Sequence, residues 1–173
     1  MEESASAGPE VLWERSKEAL RAKLEREDVG VARSLLITGY VASTPSGVAT
    51  TLKRDGSDFS ASIFGHLLDA SQVSIWTDVN GVLTADPRRV PGAHSLARIS
   101  YYEATELAYW GAKVIHPKTM QPAIIAAIPI FIRNTFEPDE PGTKIHITDS
   151  ETQSRSTCVC GFSTVDRMAL VSS

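Results

Sequence analysis

The chain has 173 residues, of which 42% are hydrophobic and 22% charged, a composition typical of one globular domain with room for part of a second. Its net charge is -4 at pH 7, so it lacks the basic surface of a general nucleic-acid-binding protein. No apolar run approaches the roughly 20 residues of a membrane-spanning helix. The acidic start, residues 1–10, does not resemble a secretory signal. We therefore expect no nucleic-acid partner and no membrane segment.

The cysteine content indicates a reducing compartment. The cysteines are Cys158 and Cys160, spaced C-x-C, and the next histidine upstream is His146. A zinc site would need further cysteine or histidine nearby. We therefore expect two free thiols.

The beginning of the chain predicts a helix and then a strand. Residues 1–9 are polar and small and are predicted to be disordered, or an artefact of the start site. Apolar spacing predicts a helix over 10–26. Residues 34–41 are nearly all apolar or small, which predicts a strand buried on both faces. The composition of 43–47 predicts a loop.

The rest of the chain alternates helix and strand patterns. Predicted helices cover 57–70 and 101–110, with a stop at Gly111, and a short helix follows Pro117. The predicted strands are 72–76 and 128–132, with β-prone pieces at 158–159 and 169–171. The predicted irregular segments are a turn at Asn80-Gly81, a loop over 87–92 and a linker over 136–143.

This alternation predicts an α/β chain with a largely parallel sheet. Ligands of such sheets bind at the carboxyl ends of strands, so 56–58, 77–78 and the surroundings of Lys113 are candidate site segments. The Rossmann and P-loop glycine motifs, the G-x-S-x-G elbow and H-E-x-x-H are absent. We therefore expect no Rossmann cofactor site, P-loop, serine hydrolase or zinc protease.

The segment 53–58 combines two cations, a glycine and a hydroxyl just before a helix. Unpaired N–H groups at a helix start attract anions, and the planar fork of Arg54 can clamp a carboxylate or phosphate. The alternative is structural: Ser57 or Asp58 caps the helix, and the cations are solvated.

Two further segments carry polar groups next to apolar ones. Thr77 and Asp78 follow a predicted strand, where they can meet a nucleotide or Mg²⁺; alternatively, they cap their own loop. Lys113 lies among small and apolar neighbours, which favours a phosphate partner, or it is a surface lysine at a helix end. His116, before a proline, is expected to be a structural hydrogen-bonding residue.

The order of these pieces resembles one family. The pieces are TTLKRDGSDFSA (50–61), IWTDVNG (75–81), ADPR (85–88), GAKVIHP (111–117), IRNT (132–135) and PGT (141–143). Over about residues 34–147 they resemble aspartokinase, with the spacing of that family. The variant motifs are most similar to the bifunctional aspartokinase–homoserine dehydrogenase of plants and algae.

The resemblance implies the αβα sandwich of the amino-acid kinase fold and phosphorylation of the aspartate side-chain carboxylate with MgATP. By this resemblance, Arg54 would bind an aspartate carboxylate. Ser57 and the amides around Gly56 would help to hold the substrate. Asp58 would position lysines around the transferring phosphoryl group. These roles agree with phosphoryl transfer, in which positioning and charge stabilisation dominate.

The resemblance also implies a nucleotide site. Its contacts would be Thr77, Asp78 and Arg88, with the backbone of Val82 and Leu83 beside the adenine. Lys113 would neutralise charge on the phosphates, and Mg²⁺ would be bound through those phosphates. The family further implies a homo-oligomer of the full-length enzyme and a plastid location, or the cytoplasm if the source is neither plant nor algal.

Some family features are changed or missing. Lys53 and Asp55 stand where many members have glycine, and Asn80 stands where Asp or Pro is usual. The opening Lys-Phe-Gly-Gly-Thr-Ser loop, which cradles the phosphates, and the family's acidic residue after it have no counterpart. We therefore expect a fragment. Residues 10–149 would form the C-terminal, nucleotide-binding half of the kinase domain, and 150–173 a linker and the first strand region of an ACT-like regulatory domain.

Two alternative functions stay open from the sequence. The first is a non-catalytic fragment that associates with kinase chains through its sheet edge. The second is another amino-acid kinase, such as an acetylglutamate or uridylate kinase, which the 111–117 and Gly-Ser-Asp motifs argue against.

Overall fold

The computed structural model describes residues 10–26, 34–109, 115–147 and 159–164. The helices are α1 (Trp13–Arg26), α2 (Gly56–Leu67), α3 (Tyr101–Tyr109) and α4 (Pro117–Ile125), and the strands are β1 (Val41–Ser43), β2 (Ala49–Thr51), β3 (Val73–Thr77), β4 (Arg98–Ser100), β5 (Ile130–Asn134) and β6 (Thr143–His146). None of the helices in these ranges has the length and apolarity that a bilayer crossing requires.

The strands form two sheets. β1 and β2 make an antiparallel hairpin, and the other four strands make a sheet in the order β3-β5-β6-β4. β5 is parallel to β3, β4 is parallel to β6, and β5 is antiparallel to β6. The predicted α/β class is confirmed. The segment 136–143, predicted as a linker, forms no regular structure before β6 begins at Thr143 and joins β5 to its antiparallel partner β6.

The four-stranded sheet buries one of its faces. In β5, Ile130 and Ile132 are buried and Phe131 and Arg133 are half-buried, the alternation expected of a strand. The buried side chains of α3 and α4 share a core cluster with the isoleucines of this sheet. A second cluster joins the apolar face of α2 to Trp13 and other partly buried residues of α1.

Helix α2 places its N-terminus at the edge of the sheet where β3 and β5 end. Residues 68–72 turn the chain from α2 into β3, and α2 packs against both β3 and α4. Near that turn, a Cβ on Gly65 would lie 2.6 Å from Cγ2 of Val73. The helix therefore runs antiparallel to β3, and Gly56 lies at the same end of the layer as Thr77.

The predicted helices are confirmed within a few residues, with Trp110 and Gly111 outside the described residues.

The predicted buried strand over 34–41 is wrong. Leu36 is fully exposed, and the strand that does form, β1, begins only at Val41. Burial on both faces needs neighbours that this segment does not have among the described residues, and the left-handed backbone of Tyr40 (φ 72°) interrupts the extended run.

Three short strands, β2, β4 and β6, were not predicted, because three or four residues are too few to show a period of two. His116 has the predicted structural role at the start of α4. Its Nδ1 accepts a hydrogen bond from the Lys118 amide at 3.2 Å and caps α4, whose first residue is Pro117.

The C-terminal pieces are described only over residues 159–164, which form no strand. Within this segment the Phe162 amide donates to the Thr84 carbonyl at 2.7 Å. Cys160 forms no disulfide among the described residues, and its Sγ donates a hydrogen bond to Oε1 of Glu103 at 2.8 Å. Cys158 and residues 169–171 lie outside the described residues. The ACT-like region therefore stays a prediction.

One buried hydroxyl fastens the loop after β3 to β6. Oγ1 of Thr143 accepts a hydrogen bond from the Val82 amide at 2.8 Å and donates one to the Leu96 carbonyl at 2.6 Å. A Cβ on Gly81 would lie 2.3 Å from the same oxygen, and its φ is 98°. The loop therefore needs both the glycine and the threonine to lie this close to the sheet.

We expect Thr143→Val to destabilise the protein by about 2–4 kcal/mol, because it leaves a buried N–H and a buried carbonyl without partners. Thr143→Ser keeps the hydroxyl and is the matched control. Urea unfolding of the three proteins measures the difference. Equal midpoints for Val and Ser at this position would contradict the assigned role of the hydroxyl.

Candidate active site

The chain enters α2 through a tight, left-handed turn. Lys53 has a φ of 62° and Asp55 a φ of 55°, conformations that few non-glycine residues adopt. The Gly56 amide donates to the Lys53 carbonyl at 3.1 Å, and the Phe59 amide donates to the Asp55 carbonyl at 3.0 Å. These bonds close the turn and start the helix. Lys53 and Asp55 are thus held in a backbone conformation that glycine favours.

The structural alternative for this segment, a cap by Ser57 or Asp58, is wrong. The N-cap residue is Asp55, and its side chain makes no capping hydrogen bond. First-turn amides have no intrahelical acceptor. The positive end of α2 is therefore left without a side-chain cap, as an anion site requires.

Gly56 allows the helix start to lie against the chain that precedes it. A Cβ at this position would lie 2.8 Å from Cδ2 of Tyr40 and 3.1 Å from Cβ of Leu52. No side chain fits there without displacing the Tyr40 ring. The glycine of the Gly-Ser-Asp motif is thus required by close packing.

A cleft of about 680 Å³ opens at this helix start. Its lining residues are Tyr40, Thr51, Lys53, Arg54, Asp55, Gly56 and Ser57. The side chain of Arg54 is 86% exposed and its Nε lies 3.7 Å from Oδ2 of Asp55. The structure therefore brings together the three predicted substrate residues. The sequence analysis missed Tyr40, which precedes the motif by more than ten residues.

Asp58 lies in the first turn of α2 beside this cleft. Burial raises the pKa of its carboxyl above the model-compound value of 3.8, and the neighbouring charge of Asp55 raises it further. A hydrogen bond from the Ser57 side chain acts in the opposite direction. The net upward shift shows that the carboxylate is held where its charge is disfavoured, a feature common at functional sites.

The second predicted group follows β3. Oγ1 of Thr77 donates to Oδ1 of Asp78 at 3.2 Å, and the Thr77 carbonyl accepts from the Thr135 amide at 2.8 Å. Asn80 then donates to Oε2 of Glu137 at 2.8 Å and accepts from the Asn134 side chain. Asn80, predicted only as a tolerated turn residue, thus ties the loops after β3 and β5 together.

Arg88 is held by its own loop. Its Nε and Nη2 lie 3.1 and 3.0 Å from the two carboxylate oxygens of Asp86, and its amide lies 3.0 Å from Oδ1. These hydrogen bonds lower the pKa of Asp86. The guanidinium is thus paired within residues 86–88 as the structure stands.

The backbone at 82–84 pairs with the chain at 94–96. The Leu96 amide donates to the Val82 carbonyl at 2.8 Å, and the Thr84 amide donates to the His94 carbonyl at 2.9 Å. Both polar backbone groups of Val82 are therefore occupied. Leu83 faces Ser95 in a non-hydrogen-bonded antiparallel bridge, so its own N–H and carbonyl point away from that partner.

Lys113, the third predicted group, lies outside the described residues. Among the described residues, the predicted substrate residues Arg54, Gly56 and Ser57 line one cleft, and Thr77 lies at the same end of the layer formed by α2 and β3. Hydrogen bonds tie Thr77 and Arg88 to partners in their own loops.

A family model described as the amino acid kinase family matches residues 4–134. The chain belongs to the amino acid kinase family. It is 51% identical over 141 residues to the chloroplastic bifunctional aspartokinase/homoserine dehydrogenase 1 of Zea mays, a match that covers 81% of this chain and 15% of that protein. It is 44% identical over 111 residues to the chloroplastic aspartokinase 2 of Arabidopsis thaliana, covering 64% of this chain and 20% of that one.

Solved structures agree with this assignment. The chain resembles E. coli aspartokinase III in complex with aspartate and ADP, with a TM-score of 0.66, 39% identity and coverage of 80% of this chain and 30% of that one. It resembles the aspartate kinase of Clostridium acetobutylicum with a TM-score of 0.68, 38% identity and coverage of 78% and 30%. The predicted amino-acid kinase fold is confirmed, and this amino acid kinase chain spans about a sixth of the length of its plant bifunctional relatives.

We expect Asp58→Asn to stabilise this chain at pH 7. Below the unfolded-state pKa of 3.8 the carboxyl is neutral in both states. Between 3.8 and the higher folded-state pKa the unfolded chain loses its proton first, so the folded state loses stability, and above the folded-state pKa this loss is complete. The stability gained by the amide should therefore grow between these two pKa values and stay level above them.

Thermal unfolding of the Asp58→Asn and wild-type proteins between pH 3 and pH 8 measures this gain. A difference between them that stays constant across the range would contradict the role assigned to burial.

Proposed function

We propose that this chain supplies the nucleotide-binding half of an aspartate kinase, which transfers the γ-phosphoryl group of ATP to the side-chain carboxylate of aspartate. The observation that carries the proposal is the cleft at the start of α2, where Arg54, Ser57 and uncapped first-turn amides face one space. The names of the relatives support it, as does the aspartate and ADP complex of E. coli aspartokinase III.

The cleft suits a small dicarboxylate. The exposed guanidinium of Arg54 can bind one carboxylate through two parallel hydrogen bonds. Ser57 and the amides of the first turn of α2 can hold the substrate through its remaining polar groups. Both contacts would orient the side-chain carboxylate towards the nucleotide.

The reaction requires no general base. A carboxylate oxygen of aspartate, ionised at neutral pH, forms a bond to the γ-phosphorus, and the bond to the β,γ-bridging oxygen breaks. The electron pair leaves with ADP, and the products are aspartyl phosphate and ADP. Positioning and stabilisation of the spreading negative charge supply the catalysis. In this scheme Asp58 positions lysine side chains around the transferring group.

The nucleotide would lie at the carboxyl ends of β3 and β5. Thr77 and Asp78 follow β3 there, and Leu83 has backbone groups directed away from its β-bridge partner, as an adenine contact needs. Arg88 would have to exchange Asp86 for a phosphate. Lys113 would neutralise phosphate charge.

Mg²⁺ would arrive with the nucleotide and neutralise charge on its phosphates. Within residues 10–26, 34–109, 115–147 and 159–164, no three His, Cys, Asp or Glu side chains converge as a metal site. In this proposal the ion is held mainly by phosphate oxygens and water. We further propose a homo-oligomeric full-length enzyme and, from the chloroplastic plant relatives, a plastid location.

We expect Arg54→Ala to weaken aspartate binding about 10- to 100-fold, the range for losing a charge-assisted hydrogen-bonded pair. Arg21→Ala is the control, because Arg21 is an exposed arginine on α1 paired with Glu25. Calorimetric titration with aspartate compares the variants. Equal affinities for the two variants would contradict substrate binding by Arg54.

We expect Lys113→Ala to abolish saturable MgADP binding, because the phosphates would lose a neutralising charge. Lys118→Ala, a neighbouring lysine in the first turn of α4, is the matched control and should bind as wild type. Titration of each folded variant with MgADP decides the point. Equal weakening in both would indicate a diffuse charge effect and would contradict the assigned role of Lys113.

A further inference from the structure

The hydroxyl of Ser60 lies outside the cleft and joins two of the segments that line it, the chain at Tyr40 and the first turn of α2. Ser60 is 5% exposed, lies one turn into α2 and does not line the cleft. Its Oγ accepts a hydrogen bond from the Tyr40 amide at 2.9 Å and donates one to the Gly56 carbonyl at 2.9 Å. The hydroxyl thus uses its donor and one lone pair to fasten the chain at Tyr40 to the first turn of the helix.

The fastening extends to the loop that carries Arg54. The Tyr40 carbonyl accepts a hydrogen bond from the Leu52 amide at 2.8 Å, directly before the Lys53-Arg54 turn. Tyr40 is therefore bonded through its amide to α2 and through its carbonyl to the arginine loop. One chain of hydrogen bonds therefore runs from Gly56 through Ser60 and Tyr40 to Leu52, and Ser60 is the member that joins Tyr40 to α2.

The turn at Tyr40 is held in a conformation that needs such support. Its φ of 72° lies in the left-handed region, which is costly for a bulky side chain and persists only where surrounding contacts fix it. The ring is packed so close to Gly56 that a Cβ there would lie 2.8 Å from Cδ2. The Tyr40 side chain is 48% exposed and lines the cleft, so its placement shapes the substrate space.

We propose that Ser60 is a positioning residue for the dicarboxylate substrate. It sets the distance between Tyr40, the Arg54 loop and the first turn of α2, and it touches no substrate itself. This inference rests on the proposed aspartate site and adds a residue that supports the site without lining the cleft. Since small displacements of binding groups have large effects on binding and rate, the hydroxyl should control the affinity for aspartate.

The chain offers a matched control two residues further along the same helix. Ser62 is also buried, and its Oγ has no hydrogen-bond partner among the described residues. Ser60→Ala and Ser62→Ala remove the same atom from buried positions of α2. Only the first removes the link between the walls of the cleft.

Calorimetric titration of the whole chain with aspartate and, separately, with MgADP tests the proposal. We expect Ser60→Ala to bind aspartate about 10-fold more weakly while its MgADP affinity stays within about 2-fold of wild type. Ser62→Ala should match wild type for both ligands. A Ser60→Ala protein that keeps its aspartate affinity, or loses both ligands equally, overturns the positioning role.

A measurement on the wild-type protein covers the case in which Ser60→Ala does not fold. Aspartate should slow hydrogen exchange at the Tyr40 amide, which donates to Ser60, and MgADP should not. Unchanged exchange at Tyr40 with aspartate bound overturns the inference alone. A wild-type chain that binds MgADP but no aspartate overturns the proposed aspartate site, and the role of Ser60 with it.

Discussion

The candidate site depends on a close approach between the first turn of α2 and the chain at Tyr40. Gly56 leaves the space that the Tyr40 ring fills, and a Cβ there would lie 2.8 Å from it. The same approach brings Ser60 within hydrogen-bond distance of the Tyr40 amide. These contacts use the Tyr40 amide, the Ser60 hydroxyl and the Gly56 carbonyl, and they leave the side chain of Arg54 exposed at the cleft.

A second close approach orders the loop after β3. Gly81 lies so near Thr143 that no side chain fits between them, and the threonine hydroxyl bonds the Val82 amide. The loop after β3 is thereby fixed to β6, and Asn80 joins it to the loop after β5. In both places a glycine allows backbone contact and a buried hydroxyl joins the segments by hydrogen bonds within the chain itself.

Three predictions that rested on patterns within single segments were correct. The apolar spacing of α2, the proline before α4 and the Asn80-Gly81 turn each depend on residues close in the chain, and all are present. The apolar run over 34–41 failed as a buried strand, because burial depends on partners elsewhere in the chain. The linker predicted over 136–143 does connect two strands, but its composition does not show that these strands, β5 and β6, pair with each other.

The sequence by itself determined the family and the order of the helices α1 to α4. It also determined the grouping of Arg54, Gly56, Ser57 and Asp58 at one helix start, because these residues are neighbours in the chain. Only the tertiary structure decided that Tyr40 joins them, that Asp55 leaves the helix without a side-chain cap, and that Arg88 pairs with Asp86. Tyr40 and Ser60 are twenty residues apart. A hydrogen bond between them depends on how α2 packs against the preceding chain, which no local pattern records.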